Sequence, residues 1–261
     1  FCIYISISFG LLGAYDDYKK IKYSNSSGIS SKFKITSQII LTIIGVSFFV
    51  YLNDYQNLNN LYFPFFKNLI INLGWFFIPF AIFVIIGSSN AVNLTDGLDG
   101  LAILPSVLIG GALGLIAYAM GNNLIAEYLY LPHLPLSGEL IVFCGALIGS
   151  GIGFLWYNTY PAQVFMGDIG SLALGAILGI IAIILRHELV FAIMAGVFVI
   201  ETLSVAIQVI SYKTRGKRVF LMAPIHHHYE LKGLAEPKII VRFWIITLVL
   251  ILIALATLKL R

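Results

Sequence analysis

Residues 164–185 read VFMGDIGSLALGAILGIIAIIL. From Ser171 to Leu185 no residue carries a charge. The run is apolar on every side, not along one stripe, so it predicts a helix surrounded by lipid or by other helices. A membrane-spanning strand needs only about 10 residues and alternates polar with apolar, which this run does not do. A single carboxylate, Asp168, stands just ahead of the run, between Gly167 and Gly170.

Outward from this segment lie six more apolar runs, at about 35–52, 75–92, 101–120, 137–157, 189–211 and 239–258. Each approaches the roughly 20 residues that cross a bilayer as a helix. The opening run, Phe1 to Tyr15, is short for a crossing and reads as the second half of a truncated helix. A signal peptide is disfavoured, since no basic segment precedes the run and no small-residue cleavage pattern follows it. The expectation is an all-α, polytopic transmembrane helical bundle of about eight spans, forming one integral membrane domain over residues 1–261.

Composition agrees. Of 261 residues 59% are hydrophobic and 11% charged, with a mean hydropathy of +0.95. A soluble domain carries about a quarter of its residues charged. Cys2 and Cys144 sit in apolar runs and read as packing residues, not as a disulfide framework. The net charge of +4 does not point to nucleic acid, because the basic residues follow membrane topology. Alternating crossings place Lys19, Lys20, Lys22, Lys32, Lys34, Lys213, Arg215, Lys217, Arg218, Lys232 and Lys238 on one face, and Lys67, Arg186, Lys259 and Arg261 on the other. By the positive-inside rule the first face is cytoplasmic.

An aspartate costs about 3 kcal/mol at the centre of a spanning helix, so its placement is informative. Five of the six aspartates fall on the predicted cytoplasmic face: Asp16, Asp17, Asp96, Asp99 and Asp168. They come from three separate loops at the ends of apolar helices, the way a bundle assembles one site. Two carboxylates at about 6 Å repel by roughly 3 kcal/mol at an effective dielectric of 20. Convergence therefore calls for a cation, and oxygen-only ligands beside phosphates favour magnesium. Solvated loop charges are the alternative for any one of these residues.

Asp16 and Asp17 point about 100° apart on a helix, so one can face the site while the other braces it. In NAVNLTDGLDG, Asn90, Asn93, Asp96 and Asp99 recur every third position and suit sugar hydroxyls or a base edge, with helix capping as the alternative. Phe165 can stack on a nucleobase. The run His226, His227, His228 lacks zinc-ligand spacing and better suits hydrogen bonding or proton transfer. Glu201, inside the 189–211 run, is either a functional carboxylate or a partner for a neighbouring helix.

Four segments in order, Asp16-Asp17 followed by Lys19-Lys20, NLTDGLDGLA at 93–102, VFMGDIGSLALG at 164–175 and APIHHHYELKG at 223–233, resemble the phospho-N-acetylmuramoyl-pentapeptide transferase family. Members have ten transmembrane helices, so the resemblance implies that the first two and part of the third are not in this chain. It implies transfer of phospho-MurNAc-pentapeptide from UDP-MurNAc-pentapeptide to undecaprenyl phosphate, giving lipid I and UMP. The reaction would use Mg2+, at the cytoplasmic face of a bacterial plasma membrane, in a homodimer. Residue by residue, Asp168 matches the magnesium ligand, Asp16 the proposed base and Asp17 its essential neighbour. Asn90, Asn93, Asp96, Asp99, Asn158 and Phe165 match the nucleoside and sugar pocket, and Lys20 and Lys32 match basic residues beside it. His226, His227 and His228 match a triple-histidine loop that contacts or orients substrate. The nearest alternative is a polyprenyl-phosphate GlcNAc-1-phosphate transferase, disfavoured by the APIHHHYE setting. A transporter with a carboxylate ion site is more distant, since such sites generally lie near the membrane midplane.

Overall fold

The structure, a computed structural model, describes residues 1–24, 28–52, 58–66 and 69–259. Lys67 and Arg261, placed above on the non-cytoplasmic face, lie outside the described residues. Among the described residues the chain is all-α apart from one small hairpin. Its helices are α1 (Cys2–Lys22), α2 (Ser31–Leu52), α3 (Phe77–Thr95), α4 (Ile103–Gly121), α5 (Asn123–Leu129), α6 (Leu140–Asn158), α7 (Gly167–Leu185), α8 (Glu188–Met194), α9 (Gly196–Arg215), α10 (Ile225–Leu231) and α11 (Glu236–Thr257). Strands β1 (Asn60–Tyr62) and β2 (Ile70–Asn72) pair antiparallel between α2 and α3, with Leu61 opposite Ile71. Among the described residues seven helices are long and apolar enough to cross a membrane, and α1 is the eighth long helix. The protein is a multi-pass membrane protein.

Two predicted boundaries move. The opening helix does not stop at Tyr15 but continues to Lys22. Its last turns hold Asp16 and Lys20 as an i,i+4 ion pair, and Lys19, Lys20 and Lys22 sit at the negative end of the helix dipole. The 189–211 run is not one helix, since α8 ends at Met194 and α9 starts at Gly196. An apolar run conceals such a break, because both halves bury apolar side chains.

Helix α7 is the axis of the bundle and packs most extensively on α1 and α3. Lipid tails supply no hydrophobic drive between helices, so close backbone approach and interhelical hydrogen bonds hold such contacts. Ser88 and Ser89 on α3 donate to the carbonyls of Gly175 (2.7 Å) and Leu172 (2.9 Å) on α7. Gly13 on α1 lies so close to α7 that a β-carbon there would come within 2.3 Å of the Asp168 carbonyl oxygen. This contact brings the polar end of α1 to the first turn of α7.

Candidate active site

Helix α7 begins at Gly167, whose φ of +63° suits glycine. Its exposed N–H groups need acceptors. Asp17 supplies one from α1, as its Oδ2 accepts the Ile169 N–H at 3.1 Å. Asp168 in the first turn complements the positive end of the helix dipole. The neighbouring Asp16 is buried and accepts the Ile29 N–H at 2.7 Å. Both adjacent aspartates therefore brace the backbone, and both also face Asp168. One oxygen from each of Asp16, Asp17 and Asp168 lies within 4.8 Å of the other two.

Three carboxylates so close need compensation. Lys20 reaches Asp16, Asp17 (3.4 Å) and Asp168 (3.0 Å), and Lys34 on α2 reaches Asp168 at 2.8 Å. The other oxygen of Asp168 accepts from the Asn93 amide at 2.8 Å, and the same amide donates to Ser171 Oγ. Asp168 is thus fixed from both sides by α1, α2 and α3. The donor set is oxygen-only and anionic, clamped in one place by four helices, which suits a hard divalent cation.

Beside this cluster is a cleft of about 270 Å³ lined by Asn93, Asp96, Asp99, Asn158, Phe165 and Asp168, with backbone from Gly97 and Gly167. Phe165 is 74% exposed and presents a free ring face. The turn after α3 is pinned at several points. Asn158 accepts the Gly100 N–H and donates to the Val164 carbonyl. Asp99 accepts the Ala162 N–H at 2.8 Å, Glu236 accepts the Asp99 N–H, and Trp244 donates to the Gly100 carbonyl. Asp99 and Asn158 therefore line the cleft and also fasten its two rims together.

Burial, and then the negative charge of Asp168, raise the Asp96 carboxyl from 3.8 to about 7. The folded protein then binds more protons than the unfolded chain between about pH 4 and pH 7, so stability falls as pH rises through that window and levels off above it. Asp96→Asn is expected to flatten the dependence of melting temperature on pH over this range in metal-free buffer. An unaltered slope would show that Asp96 is not held in this way.

Not every expected residue joins the cleft. Asn90 lies one turn deeper on α3 and donates to Gln38 Oε1 and to the Ile86 carbonyl. Lys32 is exposed, and the lysine that reaches Asp168 from α2 is Lys34. Two residues along a helix turn a side chain by about 200°, so only one of the pair faces inward. The missed signal is the polar stripe Lys34, Gln38, Thr42 at i, i+4, i+8, two of whose members are fully buried in a largely apolar helix. Lys34→Met is expected to lower turnover at least about 10-fold by removing a charged hydrogen bond worth about 1.5–3 kcal/mol, with Lys32→Met within about 2-fold of wild type. Equal losses in the two variants would contradict the placement.

None of His226, His227 and His228, expected to contact or orient substrate, lines the cleft. His226 is fully buried and touches Glu201, His227 pairs with Glu230, and His228 Nδ1 accepts the Leu221 N–H at 3.1 Å.

A sequence model described as glycosyl transferase family 4 matches residues 1–186. The chain is similar to the phospho-N-acetylmuramoyl-pentapeptide-transferase of Pelagibacter ubique (strain HTCC1062), with 61% identity over 261 residues, which is all of this chain and 72% of that protein. The aspartates, the cleft and the helical architecture described above thus belong to a phospho-sugar transferase, and the chain belongs to the phospho-N-acetylmuramoyl-pentapeptide transferase family within glycosyl transferase family 4.

Proposed function

We propose that the chain transfers phospho-MurNAc-pentapeptide from UDP-MurNAc-pentapeptide to undecaprenyl phosphate, forming lipid I and UMP with Mg2+. In this reading the cleft opens at the cytoplasmic face of a bacterial plasma membrane, and the protein works as a homodimer. The observation that carries it is the convergence of Asp16, Asp17 and Asp168 within 4.8 Å beside a polar cleft rimmed by an exposed aromatic ring. The 61% identity to the Pelagibacter enzyme supports the choice of substrate.

In the reaction an oxygen of the lipid phosphate bonds to the sugar-bearing phosphorus of the donor. The bond from that phosphorus to the bridging oxygen breaks, and UMP leaves with that oxygen. The protein's part is positioning and charge neutralisation. Asp168, with Asp16 and Asp17, would hold the magnesium ion, which when bound neutralises the diphosphate. Lys20 and Lys34 meet phosphate oxygens as well as carboxylates, and Asn93 keeps Asp168 oriented. Phe165 stacks on the uracil, with Asp96 and Asp99 facing hydroxyl and amide groups of the donor. Asp16 as a base has little to remove, because a phosphate monoester with a second pKa of about 6 is already largely dianionic at pH 7. Its burial and its hydrogen bond to Ile29 fit metal and lysine anchoring better.

The test is UMP release from UDP-MurNAc-pentapeptide, with undecaprenyl phosphate and magnesium, run beside UDP-GlcNAc. Release from the first donor alone supports the reading. Release from UDP-GlcNAc alone moves the activity to the GlcNAc-1-phosphate transferases, and release from neither contradicts both. Transport is disfavoured by the position of the carboxylates at helix ends, away from the middle of the spans.

A further inference from the structure

Glu201 is the sixth residue of α9 and is fully buried. A buried carboxylate needs a partner, and among the described residues the cationic candidate is His226, whose Nδ1 lies 3.2 Å from Glu201 Oε2. His226 is also fully buried. The contact is close in distance but not aligned as a hydrogen bond, so both carboxylate oxygens and both ring nitrogens lack a hydrogen-bond partner. The far side of the same ring faces the site. A β-carbon at Gly97 would fall 2.4 Å from His226 Nε2, and Gly97 is the residue after Asp96 in the turn that lines the cleft. The order in space is carboxylate, imidazole, turn.

The surroundings are apolar. Leu98, Leu101, Val197, Ile239 and Phe243 form a buried cluster there, with Ile225 and Tyr229 packed against it. Packing alone would be served as well by apolar residues at both positions, since replacing a buried ion pair with hydrophobic residues is often neutral or stabilising. A pair retained here instead defines an orientation. A carboxylate beside Nδ1 keeps a proton on that nitrogen and sets the plane of the ring, as carboxylates do for metal-bound histidines.

We propose that Glu201 is a positioning residue of the donor cleft: through His226 it holds the Asp96–Asp99 turn at the height that the nucleotide sugar requires. The proposal rests on reading that turn as part of the donor site. It gives an intramembrane carboxylate a task at a site it does not touch, and it explains why position 97 has no side chain.

Glu201→Gln keeps the shape and removes the charge. In the full chain in lipid nanodiscs it is expected to raise KM for UDP-MurNAc-pentapeptide at least about 5-fold, leave KM for undecaprenyl phosphate within about 2-fold, and scarcely change the melting temperature. In [15N]histidine-labelled protein, with His226→Gln to assign the signal, the protonated Nδ1 resonance of His226 should shift in Glu201→Gln. Gly97→Ala, which displaces the ring from the other side, should shift the same resonance and raise the same KM. The pair Glu201→Leu with His226→Leu should melt no lower than wild type and still show the raised donor KM. Equal changes in both KM values, or an unmoved His226 resonance in Glu201→Gln, would overturn the proposal. If wild-type protein releases no UMP from this donor, the assigned reaction is wrong, and the resonance alone then decides the pairing.

Discussion

Asp168→Asn is expected to lower transfer by at least about 1000-fold while leaving the protein folded. Its carboxylate is the meeting point of the site: Oδ2 faces Lys20 and Lys34, and Oδ1 takes the Asn93 amide. Asparagine preserves volume and one acceptor but removes the charge that would bind a divalent cation. Removing a single electrostatic stabiliser of a transition state costs about 100- to 1000-fold in characterised enzymes. Here the substitution also leaves Lys20 and Lys34 without their shared partner, so the loss should sit at or beyond the upper end. The check is UMP release at saturating magnesium, with melting temperature measured on the same preparation. Activity within 10-fold of wild type would remove Asp168 from the chemistry.

Gly13→Ala should come next in size, although it touches no polar side chain. Its β-carbon would lie 2.3 Å from the Asp168 carbonyl oxygen and 2.4 Å from the carbonyl carbon. These are backbone atoms at the start of a helix and cannot rotate away, so α1 and α7 must separate. Overpacking of this kind costs about 1–3 kcal/mol in stability. The larger effect is on geometry, because the same separation moves Asp16 and Asp17 away from Asp168. A 1 Å misplacement can cost about 100-fold in rate, and a loss of that order is expected. Gly10→Ala is the matched control on the same helix. A β-carbon there meets nothing closer than 3.9 Å, so turnover should stay within about 2-fold. Comparable losses at the two glycines would mean that α1 tolerates no added methyl, and the argument from the Asp168 contact would fail.

How much of this was legible in the sequence follows from the physical cost of each feature. The spans could be read because lipid demands some 20 apolar residues in a row, and the chain supplies such runs repeatedly. Asp16, Asp17 and Asp168 could be read because charges are scarce in such a chain and these stand at helix ends. The phase of α2 could not. Choosing Lys34 over Lys32 depends on which side of that helix meets α3, which is a tertiary fact recorded only in the faint stripe Gln38 and Thr42. Nor did the sequence reveal that Asp99 and Asn158 bind backbone N–H groups of facing loops, since a loop acceptor looks the same whether it holds a ligand or another loop. The break between Met194 and Gly196 was hidden by the continuous apolar pattern across it. The β1–β2 hairpin could not be read either. Its three-residue strands are too short to show alternation.

We propose that Asp16, Asp17 and Asp168, drawn from two helices, form one divalent-cation site. The most direct measurement is binding of Mn2+, as a paramagnetic stand-in for Mg2+, to the full chain in nanodiscs, read by electron paramagnetic resonance without substrate or turnover. The expected result is one bound ion per chain that Mg2+ displaces and that Asp168→Asn abolishes. Stoichiometric binding that survives in Asp168→Asn, or no specific binding to wild-type protein, would contradict it.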